Sequence, residues 1–122
     1  MIGPDNAIVR PVVTKNTPKL PDFSIMTASR PDLIRLRDLL ALGRKNKRNL
    51  FNGVLYYSDR VSLAGPVLGA PYAVMMLETL RAWGAQKFLF YGWCGAIAAD
   101  LKIGDVLVPT GAYIDEGTSR SY

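Results

Sequence analysis

The spacing of apolar and polar residues in the first half of the chain predicts one strand followed by one helix. Residues Phe23–Thr27 form a short, mostly apolar run that is typical of a strand. Ser29 can cap the next helix, with Asp32 three residues later completing a start similar to a capping box. The apolar positions of this helix share one face: Leu33, Ile34, Leu36 and Leu40. Gly43 is predicted to end the helix as a glycine just beyond its last turn.

The middle of the chain alternates between short apolar runs and turns rich in glycine and proline. Residues 54–57 and 61–64 are predicted strands, joined either as a hairpin or as one long bent strand. A loop over 65–71 leads into a predicted helix, residues 71–83, with Pro71 in its first turn. This helix is apolar on most sides, so we expect it to be sandwiched between the sheet and another surface. Gly84 is predicted to close it.

Two further apolar runs complete the expected sheet. Residues 88–91 are predicted to be a buried strand, because parallel strands covered on both faces are apolar throughout, and residues 106–108 are a second strand. Strand, helix and strand over 61–91 form one right-handed βαβ unit in this interpretation. Four prolines within residues 1–21 predict an extended arm, and the chain as a whole fits a single α/β domain, 1–122.

Composition excludes several kinds of site from this chain. Hydrophobic residues make up 49% of its 122 residues, which is enough for a packed core. The chain has no histidine, which excludes histidine-based triads and metal sites, and its single cysteine, Cys94, excludes an internal disulfide. We therefore expect no bound metal. No signal peptide is recognisable, and glycine and proline break the apolar stretch 61–77, so we expect a cytoplasmic protein without a membrane span.

Positive charge is concentrated in the first half of the chain. Residues 1–60 contain eleven Lys/Arg against five Asp/Glu, whereas residues 61–122 contain four against five. The densest basic run, 44–48, fits either a nucleic-acid patch or the solvated end of a helix, where cations suit the helix dipole. No aromatic residue is interleaved with this run, which favours the solvated helix end, and we expect no nucleic-acid partner.

Glycine-rich turns follow several of the predicted strands, the position at which open α/β sheets bind small molecules. The stretch from Gly65 to Pro71 can bind an anion through backbone amides, although a tight turn before a helix explains the same residues. It lacks the Gly-Lys-Ser/Thr ending of a Walker loop and the three-glycine spacing of a dinucleotide site. Three motifs follow along the chain: Gly92-Trp93-Cys94-Gly95, Ile103-Gly104-Asp105-Val106 and Glu116-Gly117-Thr118-Ser119.

The order and spacing of these motifs over residues 53–122 resemble the nucleoside phosphorylase and nucleosidase superfamily, which includes uridine phosphorylases and purine nucleoside phosphorylases. The ending Glu116-Gly117-Thr118-Ser119 is most similar to uridine phosphorylase-like members. The resemblance implies a three-layer α/β/α sandwich around a distorted barrel, here with a partial sheet, and a homo-oligomer. It also implies cleavage of the N-glycosidic bond of a nucleoside, by phosphate in phosphorylases or by water in nucleosidases.

The resemblance further implies which residues contact the nucleoside, with phosphate as co-substrate and no other cofactor. Cys94 and Gly95 line the base pocket in this comparison, mostly through backbone groups, although Cys94 also fits a small buried hydrophobic residue. Trp93 stands where phosphorylases have the Ser or Thr that touches phosphate and sugar. Gly69 lies in the segment that forms part of the phosphate or ribose wall. The resemblance places three residues near the base or sugar: Glu116, Thr118 and Ser119.

Departures from the family pattern bear on the choice between phosphate and water. Phe90 stands where phosphorylases carry an arginine. The nearest text to their Pro-Gly-Asp-Pro-X-Arg phosphate loop is Gly3-Pro4-Asp5, without its arginine. Losing both arginines removes the bidentate contacts that bind phosphate, so either water replaces phosphate or another cation supplies the charge. The candidates for that cation are Arg10, Arg30, Arg60 or a neighbouring subunit.

The last departure from the family pattern is length: family members are about twice as long as this chain. Their carboxyl half carries the residues that hold the ribose hydroxyls and the aspartate that protonates the leaving base. We therefore expect the general acid to lie beyond Tyr122, so that the catalytic residues are unknown from this sequence. A non-catalytic family member that binds nucleosides or oligomerises is a further interpretation.

Overall fold

The structure is a computed structural model that describes residues 10–121. Its contacts divide the chain into two units, one ending at Gly92 and the other beginning at Trp93. Every helix and strand of the described residues belongs to the first unit, whereas residues 93–121 form turns and extended segments. Of the predicted extended arm, the described part from Arg10 onwards contains a turn and no helix or strand. The Gly3-Pro4-Asp5 sequence lies outside the described residues.

A five-stranded mixed sheet forms the centre of the first unit, in the order β2-β3-β4-β1-β5. Its strands are β1 (Phe23–Thr27), β2 (Lys47–Leu50), β3 (Gly53–Tyr57), β4 (Val61–Gly65) and β5 (Lys87–Tyr91). Strand β1 is parallel to both of its neighbours, β4 and β5. Strands β2 and β3 are antiparallel, as are β3 and β4. The hairpin predicted for β3 and β4 is therefore confirmed, and the single bent strand is excluded.

Helix α1 (Arg30–Leu39) begins as the sequence predicts and covers one face of the sheet. The Asp32 amide donates to Ser29 Oγ at 3.2 Å, and Ser29 Oγ donates to the Asp32 carboxylate, which closes the first turn. The buried cluster on this face comprises Ile25, Leu33, Leu42, Tyr56 and Leu63. The turn after the helix is made by Ala41, whose φ is 51°. Gly43 has a φ of −76°, which any residue adopts, so its predicted role is wrong.

Helix α2 (Ala70–Ala82) covers the opposite face of the sheet. The buried cluster on this side comprises Leu20, Met26, Leu50, Leu55, Ala64, Val67, Met76, Leu80 and Ala85. Neighbouring strand residues such as Ile25 and Met26 belong to different clusters because successive side chains of a strand point to opposite faces. The first unit is thus a three-layer α/β/α sandwich with a partial sheet, as the sequence predicts. On α2, Met75 and Leu77 remain 46% and 38% exposed.

Two predictions about the ends of the sheet are wrong. The basic run 44–48 does not end a helix: Arg44–Asn46 is a single 3₁₀ turn, and Lys47–Leu50 pairs with β3 as the outermost strand. Residues 88–91 do lie in a strand, but Leu89 and Phe90 are 49% and 53% exposed. Strand β5 is the last strand of the sheet, and no further strand within residues 10–121 pairs with its outer edge.

Two further differences concern strand pairing. The strands of the predicted βαβ unit, β4 and β5, are not adjacent, because β1 lies between them. Residues 106–108 are extended but form no strand in the structure, and Val106 and Val108 are 91% and 86% exposed. An apolar run becomes a strand only where its backbone groups find a ladder partner, and this segment has none within the described residues.

Residues 10–121 contain neither a candidate membrane span nor a candidate metal-binding cluster. None of the helices in this range has the length and apolar character that crossing a membrane requires. In the same range, no three side chains of histidine, cysteine, aspartate or glutamate cluster closely enough to hold a metal ion. The cytoplasmic location expected from the sequence stays a prediction.

Candidate functional site

The carboxyl ends of the three parallel strands meet at one edge of the sheet, which we call the carboxyl edge. Strand β1 ends there at Thr27, β4 at Gly65 and β5 at Tyr91. Backbone hydrogen bonds hold the following loops against these ends: the Val67 amide donates to Thr27 O at 2.9 Å, and the Ala28 amide donates to Tyr91 O at 3.4 Å. The loops after the three strands therefore lie side by side, at the position where open α/β sheets bind ligands.

Strands β1 and β4 pack most closely at the carboxyl edge. A Cβ atom on Gly65 would lie 2.6 Å from Thr27 O and 3.0 Å from Thr27 Cγ2, so this position has no room for a side chain. Thr27 itself is fully buried. Its hydroxyl is the one buried side-chain polar atom without a hydrogen-bond partner in the described part of the chain. The edge thus combines a close backbone approach with an unsatisfied hydroxyl, which is rare in folded proteins.

Gly69 is the N-cap residue of α2 and lies in the first unit. Its φ of 81° belongs to the left-handed region that favours glycine, and its carbonyl accepts the Ala73 amide at 3.0 Å. No side chain caps the first turn of α2. The glycine is therefore explained by the turn into the helix, and its predicted contact with phosphate or ribose stays a prediction.

Phe90 lies near the end of β5, where the resemblance predicts an arginine. A Cβ atom on Gly92 would lie 3.4 Å from Phe90 Cε1 and 3.8 Å from Ala28 Cβ, so the Phe90 ring packs beside Gly92 and contributes no positive charge. Two of the alternative cations can be placed from the strand directions. Arg30 begins α1 shortly after the end of β1, whereas Arg60 precedes β4 and lies at the opposite edge of the sheet.

The Gly92-Trp93-Cys94-Gly95 segment, which was predicted as a turn, has no regular structure or turn, and it continues from the first unit into the second. Trp93 is 74% exposed and Cys94 is exposed as a free thiol. A Cβ atom on Gly95 would meet no atom within 4 Å. The alternative interpretation of Cys94 as a buried hydrophobic residue is therefore wrong, and the predicted contacts of these three residues with a nucleoside stay predictions.

The Glu116-Gly117-Thr118-Ser119 motif forms a turn held by its own carboxylate. Glu116 Oε2 accepts the Thr118 amide at 2.8 Å, and Glu116 Oε1 accepts the Ser119 amide at 2.6 Å. Hydrogen bonds from Ser119 first, and then from Thr118, lower the pKa of Glu116 below its ordinary value. Glu116, Thr118 and Ser119 are thus brought together as predicted site residues, in the second unit.

A cavity of about 430 Å³ on the α1 side of the first unit was missed by the sequence prediction. It is lined by Arg30, Leu33, Ile34, Arg37, Arg44, Lys47, Asn52, Gly53, Val54, Tyr56 and Pro66. Four of these residues are cations and none is a carboxylate. One signal was present in the sequence, because Arg30 and Arg37 are seven positions apart and so share a face of the predicted helix. The sequence analysis considered the basic run that contains Arg44 and Lys47 as a nucleic-acid patch or a solvated helix end, and not as part of a cavity.

Comparison with known families identifies this chain as a member of the Phosphorylase superfamily, whose sequence model matches residues 24–122. The match begins in β1 and includes α1, so the family region is longer than the resemblance over 53–122 indicates. The match does not include Gly3-Pro4-Asp5, the sequence nearest to the phosphate loop that phosphorylases carry. All the predicted site residues and all three loops of the carboxyl edge lie within the match.

Curated relatives include phosphorylases of purine nucleosides. The guanosine phosphorylase of Halorubrum lacusprofundi is 35% identical over 91 residues, which are 75% of this chain and 36% of the relative. The DeoD-type purine nucleoside phosphorylase of Haemophilus ducreyi is 32% identical over 77 residues, which are 62% of this chain and 32% of the relative. The matched residues thus cover about a third of the length of these relatives.

Comparison with solved structures supports the same architecture. The structure of a futalosine hydrolase mutant of Helicobacter pylori matches 70% of this chain and 40% of its own chain, with a TM-score of 0.58 and 24% sequence identity. At this identity the likeness concerns the fold, and it agrees with the sandwich of α1, sheet and α2 described above.

Proposed function

We propose that this chain is part of an enzyme that cleaves the N-glycosidic bond of purine nucleosides with phosphate, releasing free base and ribose 1-phosphate. The observation that carries the proposal is the family match over residues 24–122, which contains the carboxyl edge and every predicted site residue. The names of the relatives, a guanosine phosphorylase and a purine nucleoside phosphorylase, support purines. The ending Glu116-Gly117-Thr118-Ser119 had instead favoured uridine phosphorylase-like members.

The chemistry of this reaction assigns the site residues to binding and electrostatics. Cleavage develops positive charge on the sugar, so an enzyme accelerates it by positioning the reactants and by placing negative charge nearby. We assign Gly69 to the phosphate or ribose wall, and Trp93, Cys94 and Gly95 to contacts with sugar and base. Glu116 stays ionised to lower pH than an ordinary glutamate, so its carboxylate suits a cationic sugar.

The general acid is the part of the mechanism that this chain is not expected to supply. A purine leaves more easily when its ring nitrogen is protonated, and such general acid catalysis typically contributes about 10²–10⁴-fold. Since the matched residues cover only about a third of these relatives, we propose that the proton donor comes from the region those enzymes have in addition. The same region would supply the groups that hold the ribose hydroxyls.

Base release from nucleosides tests the proposal directly. Guanosine, inosine, uridine and methylthioadenosine are incubated with the chain, and with a version extended by the carboxyl-terminal part of the DeoD-type relative. Base and ribose 1-phosphate are then separated by chromatography, with and without phosphate. We expect phosphate-dependent release of purine bases by the extended version and little by the chain alone. Absence of release from every nucleoside by both proteins would contradict the enzymatic proposal and favour a non-catalytic, nucleoside-binding protein.

Hydrolysis by water is the second candidate, and Phe90 is the observation that favours it. An arginine at this position would place a cation at the carboxyl edge, whereas the Phe90 ring presents an apolar surface that is 53% exposed. Base release that proceeds equally well without phosphate, and without ribose 1-phosphate, would establish hydrolysis. In the extended version, Phe90→Arg should lower the phosphate concentration for half-maximal rate if phosphate is the nucleophile. Leu39→Arg, at the exposed end of α1, is the control for the added charge.

We also propose that the protein functions as a homo-oligomer, as the resemblance implies. The support comes from two surfaces of the first unit that are more apolar than a solvated surface requires: the end strand β5 and the outer side of α2. Leu89, Phe90 and Tyr91 on β5 are 49%, 53% and 42% exposed, and exposed apolar strand edges favour association.

A further inference from the structure

The cavity on the α1 side of the first unit is built by three successive elements. Arg30 and Arg37 lie on α1, seven positions apart and therefore on the same side of the helix. Arg44 lies in the 3₁₀ turn, and Lys47 begins β2 immediately after it. The four cations thus converge from a helix, a turn and a strand on one concave surface of about 430 Å³.

Apolar side chains form the inner part of this cavity. Leu33 and Tyr56 are buried, at 4% and 8% exposure, and belong to the cluster between α1 and the sheet. Val54 packs against the same cluster, and Pro66 follows the carboxyl end of β4. The lining therefore combines an apolar floor with a cationic rim, which is the composition of sites that bind small organic molecules carrying a charge.

Ion pairs between the described residues, 10–121, leave most of the positive charge of the rim without a carboxylate partner. Arg37 pairs with Asp38 at 2.6 Å, and its guanidinium carbon lies 5.9 Å from the centre of the Tyr56 ring. No ion pair joins Arg30, Arg44 or Lys47 to a carboxylate anywhere in the described range, residues 10–121. Cations of one sign in a cleft concentrate the electrostatic potential there and attract anions.

Phosphoryl groups match this arrangement better than other common anions. Arginine binds the oxygens of phosphate through paired, charge-assisted hydrogen bonds, and lysine adds a point charge. The volume of about 430 Å³ lies within the range of pockets that hold small organic molecules. The apolar floor of Leu33, Val54 and Tyr56 would contact the organic part of the ligand.

We propose that this cavity binds a phosphorylated small molecule, with the phosphoryl group on the cationic rim and the organic group on the apolar floor. None of the residues assigned above to nucleoside contact lines it, whereas Arg30, one of the candidate phosphate cations for nucleoside cleavage, does. The proposal is therefore tested by binding of a phosphate ester and not by nucleoside cleavage. The same cations could be read as a nucleic-acid surface, but a concave site with a buried apolar floor favours a small ligand over a polymer that needs an open groove.

Calorimetric titration with guanosine monophosphate and, separately, with inorganic phosphate tests the proposal on the whole chain. The first arm represents a phosphate ester and the second the free ion. We expect the ester to bind at least about tenfold more tightly than inorganic phosphate, because only the ester also buries apolar surface on the floor. Binding should weaken as sodium chloride rises from about 50 to about 200 mM, since exposed cations form the rim.

Substitutions within the 3₁₀ turn and β2 locate the bound ligand. Arg44→Gln with Lys47→Gln removes two rim cations and should weaken ester binding by about tenfold or more, because charge-assisted contacts to the phosphoryl oxygens are lost. Lys45→Gln is the matched control: Lys45 lies in the same turn but does not line the cavity, so we expect less than about a twofold change there. All three side chains are exposed, and thermal melting confirms that the variants fold.

Four outcomes would overturn the proposal. The first two are no heat of binding with either ligand, and equal weakening by Lys45→Gln and by the double variant, which would indicate unspecific attraction. The third is binding of inorganic phosphate as tightly as the ester, which would leave the apolar floor without a role. The fourth is displacement of the ester by a single-stranded RNA oligonucleotide of higher affinity, which would assign the surface to nucleic acid. Failure of the nucleoside-cleavage assay would change none of these four outcomes, because each of them is a measurement of binding.

Discussion

At the scale of single residues, Thr27 and the Ser24–Ser62 pair show opposite ways of burying a hydroxyl. Ser62 Oγ donates to Ser24 Oγ at 2.9 Å between β4 and β1, and both side chains are fully buried. Thr27, three residues further along β1, is equally buried but its hydroxyl has no partner in the described chain. An unsatisfied buried hydroxyl costs stability, whereas a paired one is close to neutral.

Replacing Thr27 by valine should therefore stabilise the protein. Thr27→Val keeps the branched shape and removes the unpaired hydroxyl, so we expect the free energy of unfolding in urea to rise by about 1 kcal/mol. Ser62→Ala is the contrasting variant, because it leaves the Ser24 hydroxyl buried alone and should lower stability by about 1–3 kcal/mol. A loss of stability in Thr27→Val would show that the Thr27 hydroxyl has a partner in solution.

Glu116 should make the turn at residues 116–119 sensitive to acid. Its pKa in the folded chain is lowered from the ordinary value of 4.5 by hydrogen bonds from Ser119 and Thr118. A lowered folded pKa means that the contribution to stability is fully present above about pH 4.5 and is lost as the pH falls through the lowered value. We expect an NMR titration of the Glu116 carboxyl to give a pKa below 4.5.

Amide exchange supplies the control for this turn. In Glu116→Gln, the amides of Thr118 and Ser119 lose a charged acceptor and should exchange faster with solvent at neutral pH. The wild-type chain should reach the same fast exchange only in acid. Equal protection of both amides in wild type and variant would show that the carboxylate does not hold the turn.

At the scale of elements, the contact between β1 and β4 depends on the missing side chain of Gly65. A Cβ atom there would lie 2.6 Å from the Thr27 carbonyl oxygen, which belongs to the backbone and cannot move aside alone. Gly65→Ala should therefore lower the free energy of unfolding by about 2 kcal/mol or more, as measured in urea. In Gly43→Ala, the new Cβ meets nothing within 4 Å and φ is −76°, so stability should stay equal or rise by up to about 1 kcal/mol. Similar effects of the two substitutions would contradict the close approach of the strands.

The elements also show how far local sequence patterns predict this fold. Periodicity and capping placed α1, α2, the β3–β4 hairpin and the strands β1 and β5 within a residue or two of their observed bounds, because these signals are local. Strand β2 was missed because Lys47–Leu50 contains three polar residues and becomes a strand only by pairing with β3. The opposite error, at residues 106–108, has the same cause, since an apolar run without a partner forms no ladder. The residue with positive φ in the turn after α1 is Ala41 and not a glycine, so this conformation could not be predicted from the sequence.

The sequence allowed part of the carboxyl edge to be predicted but not the cationic cavity. The sequence predicted glycine-rich connections after β4 and β5, and the structure places Gly65 and Gly92 at the carboxyl edge, where Gly65 has no room for a side chain and Gly92 has ordinary contacts. The cationic cavity was not predictable, because its residues come from α1, the 3₁₀ turn and β2–β3, which only the folded sheet brings together. The sequence shows the high density of positive charge at 44–48. It does not show that Arg44 and Lys47 form one concave surface together with Arg30 and Arg37.

At the scale of the whole molecule, the order of the strands leaves β5 at the end of the sheet with an apolar surface. Leu89, Phe90 and Tyr91 are each 42% to 53% exposed, which is unusual for three consecutive strand residues in a monomeric protein. Covering this surface by a second copy of the chain would remove it from water, and the hydrophobic effect contributes about 25 cal/mol for each Å² of apolar area so buried.

Sedimentation equilibrium over a range of protein concentrations tests this expectation of self-association. We expect the wild-type chain to form dimers or larger oligomers, and Leu89→Lys to shift it towards monomer because a charge on β5 opposes both apolar contact and strand pairing. Leu39→Lys is the matched control: Leu39 is 81% exposed at the end of α1, away from β5, and its substitution should leave the assembly unchanged. A wild-type monomer at every concentration would refute self-association, and equal dissociation by both variants would show that β5 is not the surface responsible. If only Leu89→Lys dissociates the assembly, the apolar character of β5 is explained by contact between copies, and Phe90 at that strand is then a residue of the interface as well as of the carboxyl edge.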